Sequence, residues 1–317
     1  MSKKILIIGS GIAGIAASLK LKSYGLSSTI VDKADFIGGR VSTRIDKKGN
    51  NDFCFFHGAQ FFTARSENFK KIIENGLSNN YIKRFEKKIP EQYRGFPTMR
   101  NFLIRLSSNL IIKQNHKVIN IYGSNNKINV LYENTPILET YDAVISTLPS
   151  PQNIELLKKF PSLTKTLSHA SYDSCIALMI AYNKVPDDIP SFFDFSNSRK
   201  IINWMASSNN NRCWTIHANP LYSNQNLNKN KLSIQNEILK EVNKVLSPSK
   251  DSNFYQVIYN ELHIWKYAKV KNIAKGNQID PIDPIAIAGD FMEGPRVESA
   301  FISGEKAADL IFNRLKA

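Results

Sequence analysis

A glycine-rich turn set between a β-branched run and a helix leaves this chain few ways to begin folding. Residues 4–8 are largely apolar and β-branched, Gly9-Ser10-Gly11-Ile12-Ala13-Gly14 follows at once, and residues 15–24 carry apolar side chains at helical spacing until Gly25. Thr29-Ile30-Val31 then predicts a second strand that ends in Asp32. Strand, turn, helix and strand within about 30 residues is the dimension of a right-handed parallel crossover.

Gly9, Gly11 and Gly14 spell G-x-G-x-x-G in the context that gives the pattern meaning, directly after a strand and opening a helix. Gly9 permits the tight turn, Gly11 lets backbone approach a pyrophosphate, and Gly14 permits close helix packing. The helix N-terminus offers N–H donors to the phosphates. Asp32 stands eighteen residues after Gly14. It is placed to accept hydrogen bonds from adenosine ribose hydroxyls, and a carboxylate there disfavours a 2′-phosphate. The competing reading is a glycine turn that holds no ligand.

The 317 residues allow two average domains or one large α/β domain with an insertion. Hydrophobic residues at 42% and charged residues at 22% match a globular protein. No run of about 18 apolar residues occurs, so neither disorder nor a membrane span is expected. Lys+Arg outnumber Asp+Glu by 42 to 27, a net charge of +15. The basic residues are scattered in pairs such as Lys3-Lys4, Lys47-Lys48, Lys70-Lys71, Lys87-Lys88 and Lys158-Lys159, without a recognisable nucleic-acid motif. No nucleic-acid partner is expected, because such a footprint is usually clustered. Cys54, Cys175 and Cys213 are too far apart for a C-x-x-C pair and odd in number for a disulfide framework. No metal site is expected, and a reducing compartment fits. Gly9 and Gly11 interrupt the apolar opening before a signal-peptide core can form, so the expected location is cytoplasmic.

Further along, residues 117–121, 128–132 and 143–147 predict a β-meander that feeds back into a sheet. Residues 161–271 predict a second sheet built on apolar runs at 175–181 and 213–217, with helical periodicity at 232–246. Residues 285–288 read as a buried strand, and 299–315 as a helix with Ala300, Gly304, Ala307, Ala308 and Ile311 on one face. The Asn-rich stretches 207–211 and 222–231 read as surface loops. His263, Trp265 and Tyr267 alternate along a strand and so share a face, either a pocket wall or an aromatic core stripe.

Gly38-Gly39-Arg40-Val41-Ser42-Thr43-Arg44 resembles the G-G-R-x-x-T-x-R signature of two-dinucleotide-domain flavoproteins, a group that includes amine oxidases and phytoene desaturases. The match is partial, since only one residue separates Ser42 from Arg44. In that group the arginine contacts the FAD pyrophosphate. Ala288-Gly289-Asp290, with Val297-Glu298-Ser299-Ala300 and Ser303-Gly304, resembles the closing flavin motif. There an Asp meets the ribitol and a helix N-terminus faces the flavin N1 and C2 carbonyl, an edge where reduction builds negative charge.

Within this group the chain resembles the renalase-like FAD-dependent oxidoreductases nearly end to end. The stretches that carry the likeness are His57-Gly58-Ala59-Gln60-Phe61-Phe62-Thr63-Ala64-Arg65, Gly95-Phe96-Pro97-Thr98-Met99, residues 204–218, His263 to Ala268, and residues 289–304. Phe56 stands where an acidic residue often precedes His-Gly, Gly294-Pro295-Arg296 replaces a Gly-Gly-Arg-like turn, and Ser299 replaces a usual Gly. The resemblance implies an α/β fold: a Rossmann-type FAD-binding domain of the two-dinucleotide-binding flavoprotein kind (1–75, 97–160 and 272–317) with an inserted mixed-sheet substrate domain (76–96 and 161–271). It implies FAD contacts at Gly9, Gly11, Ile12, Ala13, Gly14, Asp32, Lys33, Gly39, Arg40, Ala59, Gln60, Val118, Gly289, Asp290, Val297 and Glu298. No Cys follows Cys213 and no His follows His263, so a C-terminal covalent flavin link is not available and FAD is expected to be non-covalent.

The reaction implied is oxidation of the 2- and 6-dihydro isomers of NAD(P) to NAD(P)+, with O2 as acceptor giving hydrogen peroxide. Such a hydride transfer needs positioning more than acid–base catalysis. His57 and Gln60 would face the substrate, although His57 could equally cap its turn. The alternatives are a flavin amine oxidase acting on a small amine and a non-catalytic FAD-binding regulatory protein.

Overall fold

The computed structural model of the chain describes residues 3–48, 51–86, 90–133, 135–184, 189–198, 200–208, 212–246 and 256–316. In chain order the first half comprises β1 (Ile5–Ile8), α1 (Ile12–Ser23), β2 (Ser28–Val31), β3 (Arg44–Lys48), β4 (Asn51–Phe55), α2 (Glu67–Ser78), β5 (Ile82–Glu86), β6 (Gln92–Gly95), α3 (Met99–Leu106), β7 (Ile111–Lys113), β8 (Val118–Ser124), β9 (Lys127–Tyr132), β10 (Thr135–Tyr141) and β11 (Ala143–Ser146). There follow α4 (Ser150–Leu156), α5 (Pro161–Ser168), β12 (Ser171–Tyr182), β13 (Phe192–Asp194), β14 (Ile202–Ser207), β15 (Cys213–Ala218), α6 (Pro220–Gln225), α7 (Lys231–Leu246), β16 (Val257–Asn272), β17 (Ile285–Ile287), a 3₁₀ turn at Asp290–Met292, and α8 (Val297–Lys316). These elements form two compact units, one from residues 1–41, 61–171 and 270–317 and the other from 42–60 and 172–269.

The first unit is built on a parallel sheet in the order β17-β11-β1-β2-β7. Its inner strands β1 and β11 are buried along their whole length, which is why they read as continuous apolar runs rather than alternating ones. Helices α1 and α8 pack together against this sheet. Their approach is possible because a Cβ at Gly304 would overlap the Ala13 carbonyl and lie 3.1 Å from the Ala16 Cβ. Two of the three strands expected in the meander, β8 and β9, do pair antiparallel, but the third strand of that sheet is β10, and the segment expected to close it, residues 143–147, instead forms β11 in the parallel sheet.

The second unit is a five-stranded sheet in the order β13-β14-β15-β12-β16. Within it the pairs β13–β14, β14–β15 and β12–β15 run antiparallel. Strand β12 buries both faces. Ile176, Leu178 and Ile180 pack with Ile234, Ile238, Val242 and Leu246 of α7. Met179 and Ala181, on the opposite face, meet Phe53 and Phe55 of β4.

That second contact explains a departure from the expected boundaries. Residues 42–60 belong to the second unit because β4 supplies one side of its core. Residues 76–96, expected in the inserted domain, belong to the first unit, where β6 reaches Phe62 through a two-way backbone bridge at Tyr93. Part of the expected 222–231 loop is helical. Asn219 caps α6 by accepting from the Leu221 N–H, Pro220 occupies its first turn, and α7 begins at Lys231. Of the other polar stretch, Ser207 ends β14 and residues 209–211 lie outside the described residues, as do Lys87 and Lys88. Among the described residues no helix is long and apolar enough to cross a membrane.

Candidate functional site

All five strands of the first unit's sheet run the same way, so their carboxyl ends share one edge, the place where open α/β sheets bind ligands. Gly9 follows β1, Asp32 follows β2, Thr147 follows β11, and Gly289-Asp290 comes shortly after β17. Gly9 sits at φ 106° with its N–H on the Val31 carbonyl at 2.8 Å, and any side chain there would run into the Thr147 hydroxyl. That hydroxyl donates to the Ile8 carbonyl at 2.8 Å. A Cβ at Gly14 would overlap the Gly9 carbonyl, so the first and third glycines of the motif close on each other.

Gly11 is different in kind. Its backbone is extended, and a Cβ there would find no heavy atom within 4 Å. No side chain caps α1 and no acid lies in its first turn. The leading N–H groups of a buried helix therefore open onto space that the glycine keeps clear, which is the arrangement that holds an anion. The Gly38-Gly39 segment lies alongside. The Gly38 N–H donates to the Ser10 carbonyl at 3.1 Å, and a Cβ at Gly39 would stand 3.4 Å from the Gly11 Cα.

Arg40 and Asp290, singled out from motifs 250 residues apart, meet directly. The guanidinium donates from Nη1 to Oδ2 at 2.8 Å and from Nη2 to Oδ1 at 2.5 Å, a bidentate pair that joins the Gly-Gly-Arg turn to the segment after β17. Asp32 accepts at Oδ2 from both the N–H and the hydroxyl of Ser10, each at 2.7 Å, and at Oδ1 from the Ala34 N–H at 3.0 Å. Ser10 stands at a variable position of the motif, and the one sequence signal for its role is a hydroxyl side chain within the glycine turn. Ile12 and Ala13 are buried in the first turn of α1, Lys33 is exposed, and Val118 opens β8 half-buried. Val297 opens α8. Glu298 is buried, and its Oε1 accepts from the N–H of Arg65 at 2.7 Å and from the N–H and hydroxyl of Ser66 at 2.6 and 2.9 Å. It thereby caps α2, whose own N-cap residue Ser66 supplies no capping bond.

Residues 7–75 match the family of NAD(P)-binding Rossmann-like domains. Over the whole chain the structure superimposes on a provisionally assigned protoporphyrinogen oxidase from Exiguobacterium sp. 255-15, with a TM-score of 0.74, 11% identity and 100% of each chain covered. It is likewise similar to cyclohexylamine oxidase from Brevibacterium oxydans IH-35A, with a TM-score of 0.72, 12% identity and 100% of each chain covered. The fold is that of the two-dinucleotide-binding flavoproteins. In sequence the chain is 29% identical over 171 residues to the 1-hydroxycarotenoid 3,4-desaturase of Flavobacterium sp. (strain P99-3), a match covering 51% of this chain and 33% of the relative. It spans a third or less of the length of the curated relatives it matches first.

Within this flavoprotein fold, Ala59 and Gln60 belong to the second unit, together with the His57 cluster. The His57 carbonyl accepts from Trp265 Nε1 at 2.9 Å and faces His217 Nε2 at 3.2 Å, so His217 carries its proton on Nε2. The His57 ring stacks on Trp265 with centroids 5.2 Å apart and meets the edge of His263 at 5.1 Å, while His263 and Trp265 lie 4.3 Å apart. Ser42 Oγ lies 3.3 Å from His57 Nε2, and the Gln60 amide donates to the Phe56 carbonyl.

Burial lowers the pKa of His217, against the pull of its bond to His57. Burial also lowers that of His263, with Arg44 acting in the same direction. Tyr267 takes no part in the cluster described by these contacts and meets Tyr172 edge-on at 5.7 Å. Trp214 is fully buried in the sheet core and Trp204 stacks on Phe192, so both read as packing. Burial pushes the Cys175 thiol up to about 12.

Proposed function

We propose that this chain is an FAD-dependent oxidoreductase that oxidises 2- and 6-dihydro isomers of NAD(P) with O2. The observation that carries the reading is the cleared space at Gly11 in front of an uncapped helix, on the carboxyl edge of a parallel sheet, with the Arg40–Asp290 pair joined to the same turn. These residues suit FAD. The α1 N–H groups and Arg40 would hold its pyrophosphate, Asp32 its adenosine ribose, and Asp290 with the α8 N-terminus its ribitol end, without a covalent link. Val118 and Lys33 would border the adenosine, and Ala59 and Gln60 would complete the contacts.

FAD, when bound, supplies a two-electron acceptor whose electrons pass on to O2. The overall balance is dihydro-NAD(P) plus O2 plus H+ to NAD(P)+ plus hydrogen peroxide. The donor leaves as an aromatic cation, so the protein's task is to orient it and exclude competing reactions. His57 and Gln60 would do the orienting. The double hold on the His57 carbonyl by Trp265 and His217 fixes the backbone of that segment, and the Gln60 amide would meet the nicotinamide carboxamide.

Anaerobic mixing of the flavin-loaded protein with the dihydro isomers, with purified ordinary NAD(P)H and with a panel of amines tests this reading. Rapid bleaching of the visible flavin band by the isomers alone supports it. The likeness to cyclohexylamine oxidase favours a second reading, an amine oxidase. Bleaching by an amine alone would select that one.

A further inference from the structure

The acid at the end of β2 has less capacity for a ribose than its position suggests. A carboxylate offers about four acceptor positions, two on each oxygen. On Asp32 three are taken by protein donors: the Ser10 N–H and hydroxyl fill both positions on Oδ2, and the Ala34 N–H takes one on Oδ1. Ser10 is fully buried and its backbone belongs to the glycine turn, so this hold is part of the fold's rigid centre rather than a surface contact. Asp32 itself is only half-buried, leaving its remaining position accessible.

We infer that Ser10 is a positioning residue that turns Asp32 into a single-point ribose reader, accepting one of the two adenosine hydroxyls through Oδ1 rather than gripping the diol with both oxygens. The inference rests on the proposal that a dinucleotide occupies this turn. It assigns specificity within that site: one hydroxyl is read by the carboxylate and the other is not.

The test is calorimetric titration of the full chain, freed of flavin, with ADP, 2′-deoxy-ADP and 3′-deoxy-ADP. Loss of one hydrogen bond to a charged group weakens binding about tenfold or more. One analogue should therefore lose about that much, and the other should bind within about threefold of ADP. Ser10→Ala should blunt the difference between the two analogues, and Ser10→Thr, which keeps the hydroxyl, should restore it. Equal losses for both analogues, or none for either, would overturn the single-point reading while leaving nucleotide binding intact. A chain that binds neither ADP nor FAD would overturn the proposed cofactor and this inference with it.

Discussion

Replacing Glu298 with alanine should destabilise the first unit even when no cofactor is present. The carboxylate is buried, and its Oε1 collects three donors from Arg65 and Ser66 at the start of α2. Each charge-assisted bond of this kind is worth about 1.5–3 kcal/mol, but Arg65 is exposed and water can replace its share. Counting one full bond at the half-buried Ser66 and a small dipole contribution at the α8 N-terminus gives a loss of about 2–4 kcal/mol. For a unit of roughly 200 residues that is a fall in Tm of about 5–10 °C. Glu298→Gln keeps an acceptor at the same place and should lose only about 1 kcal/mol. Differential scanning calorimetry of the flavin-free variants measures both. An alanine variant as stable as the parent would refute the capping role.

Two further outcomes follow from named contacts. Arg40→Lys cannot reproduce the two parallel bonds to Asp290, so it should weaken FAD retention and stability about as much as Arg40→Ala does, as read by flavin release and thermal melting; full rescue by lysine would mean that charge alone matters. His217 and His263 have folded pKa values lowered by burial, so the unfolded chain takes up their protons first as pH falls. Stability from this source is full above the unfolded value of about 6.5 and declines as pH drops below it towards the lower folded values. Melting curves between pH 8 and 5 should show that decline, and His217→Gln should flatten it; an unchanged pH profile in the variant would count against it.

What could be read from the sequence was local. The Gly9-Ser10-Gly11-Ile12-Ala13-Gly14 turn, its flanking strands and Asp32 all lie within one crossover, where spacing and glycine placement specify geometry. The α7 and α8 helices were legible because their apolar residues recur on one face. What could not be read was long-range pairing. The bond from Glu298 to Ser66 spans 232 residues, and nothing in either segment names the other. Nor does the sequence show which unit holds the β3–β4 hairpin, because Phe53 and Phe55 announce a buried face without saying which sheet it covers. Strand β10 is illegible in the sequence because its polar residues obscure a period of two, and α6 because its Asn-rich composition masks the Asn219-Pro220 start signal.

The measurement that bears most directly on the proposed cofactor is FAD binding by Gly11→Ala beside the parent chain. A methyl group at this position meets no neighbouring atom within 4 Å and needs no unusual backbone, so the variant should fold with a Tm within about 2 °C of the parent. The same methyl would stand in the cleared space before α1, and FAD affinity should fall about tenfold or more. An equally stable variant that binds FAD as tightly as the parent, or a parent chain with no affinity for FAD, would contradict the account.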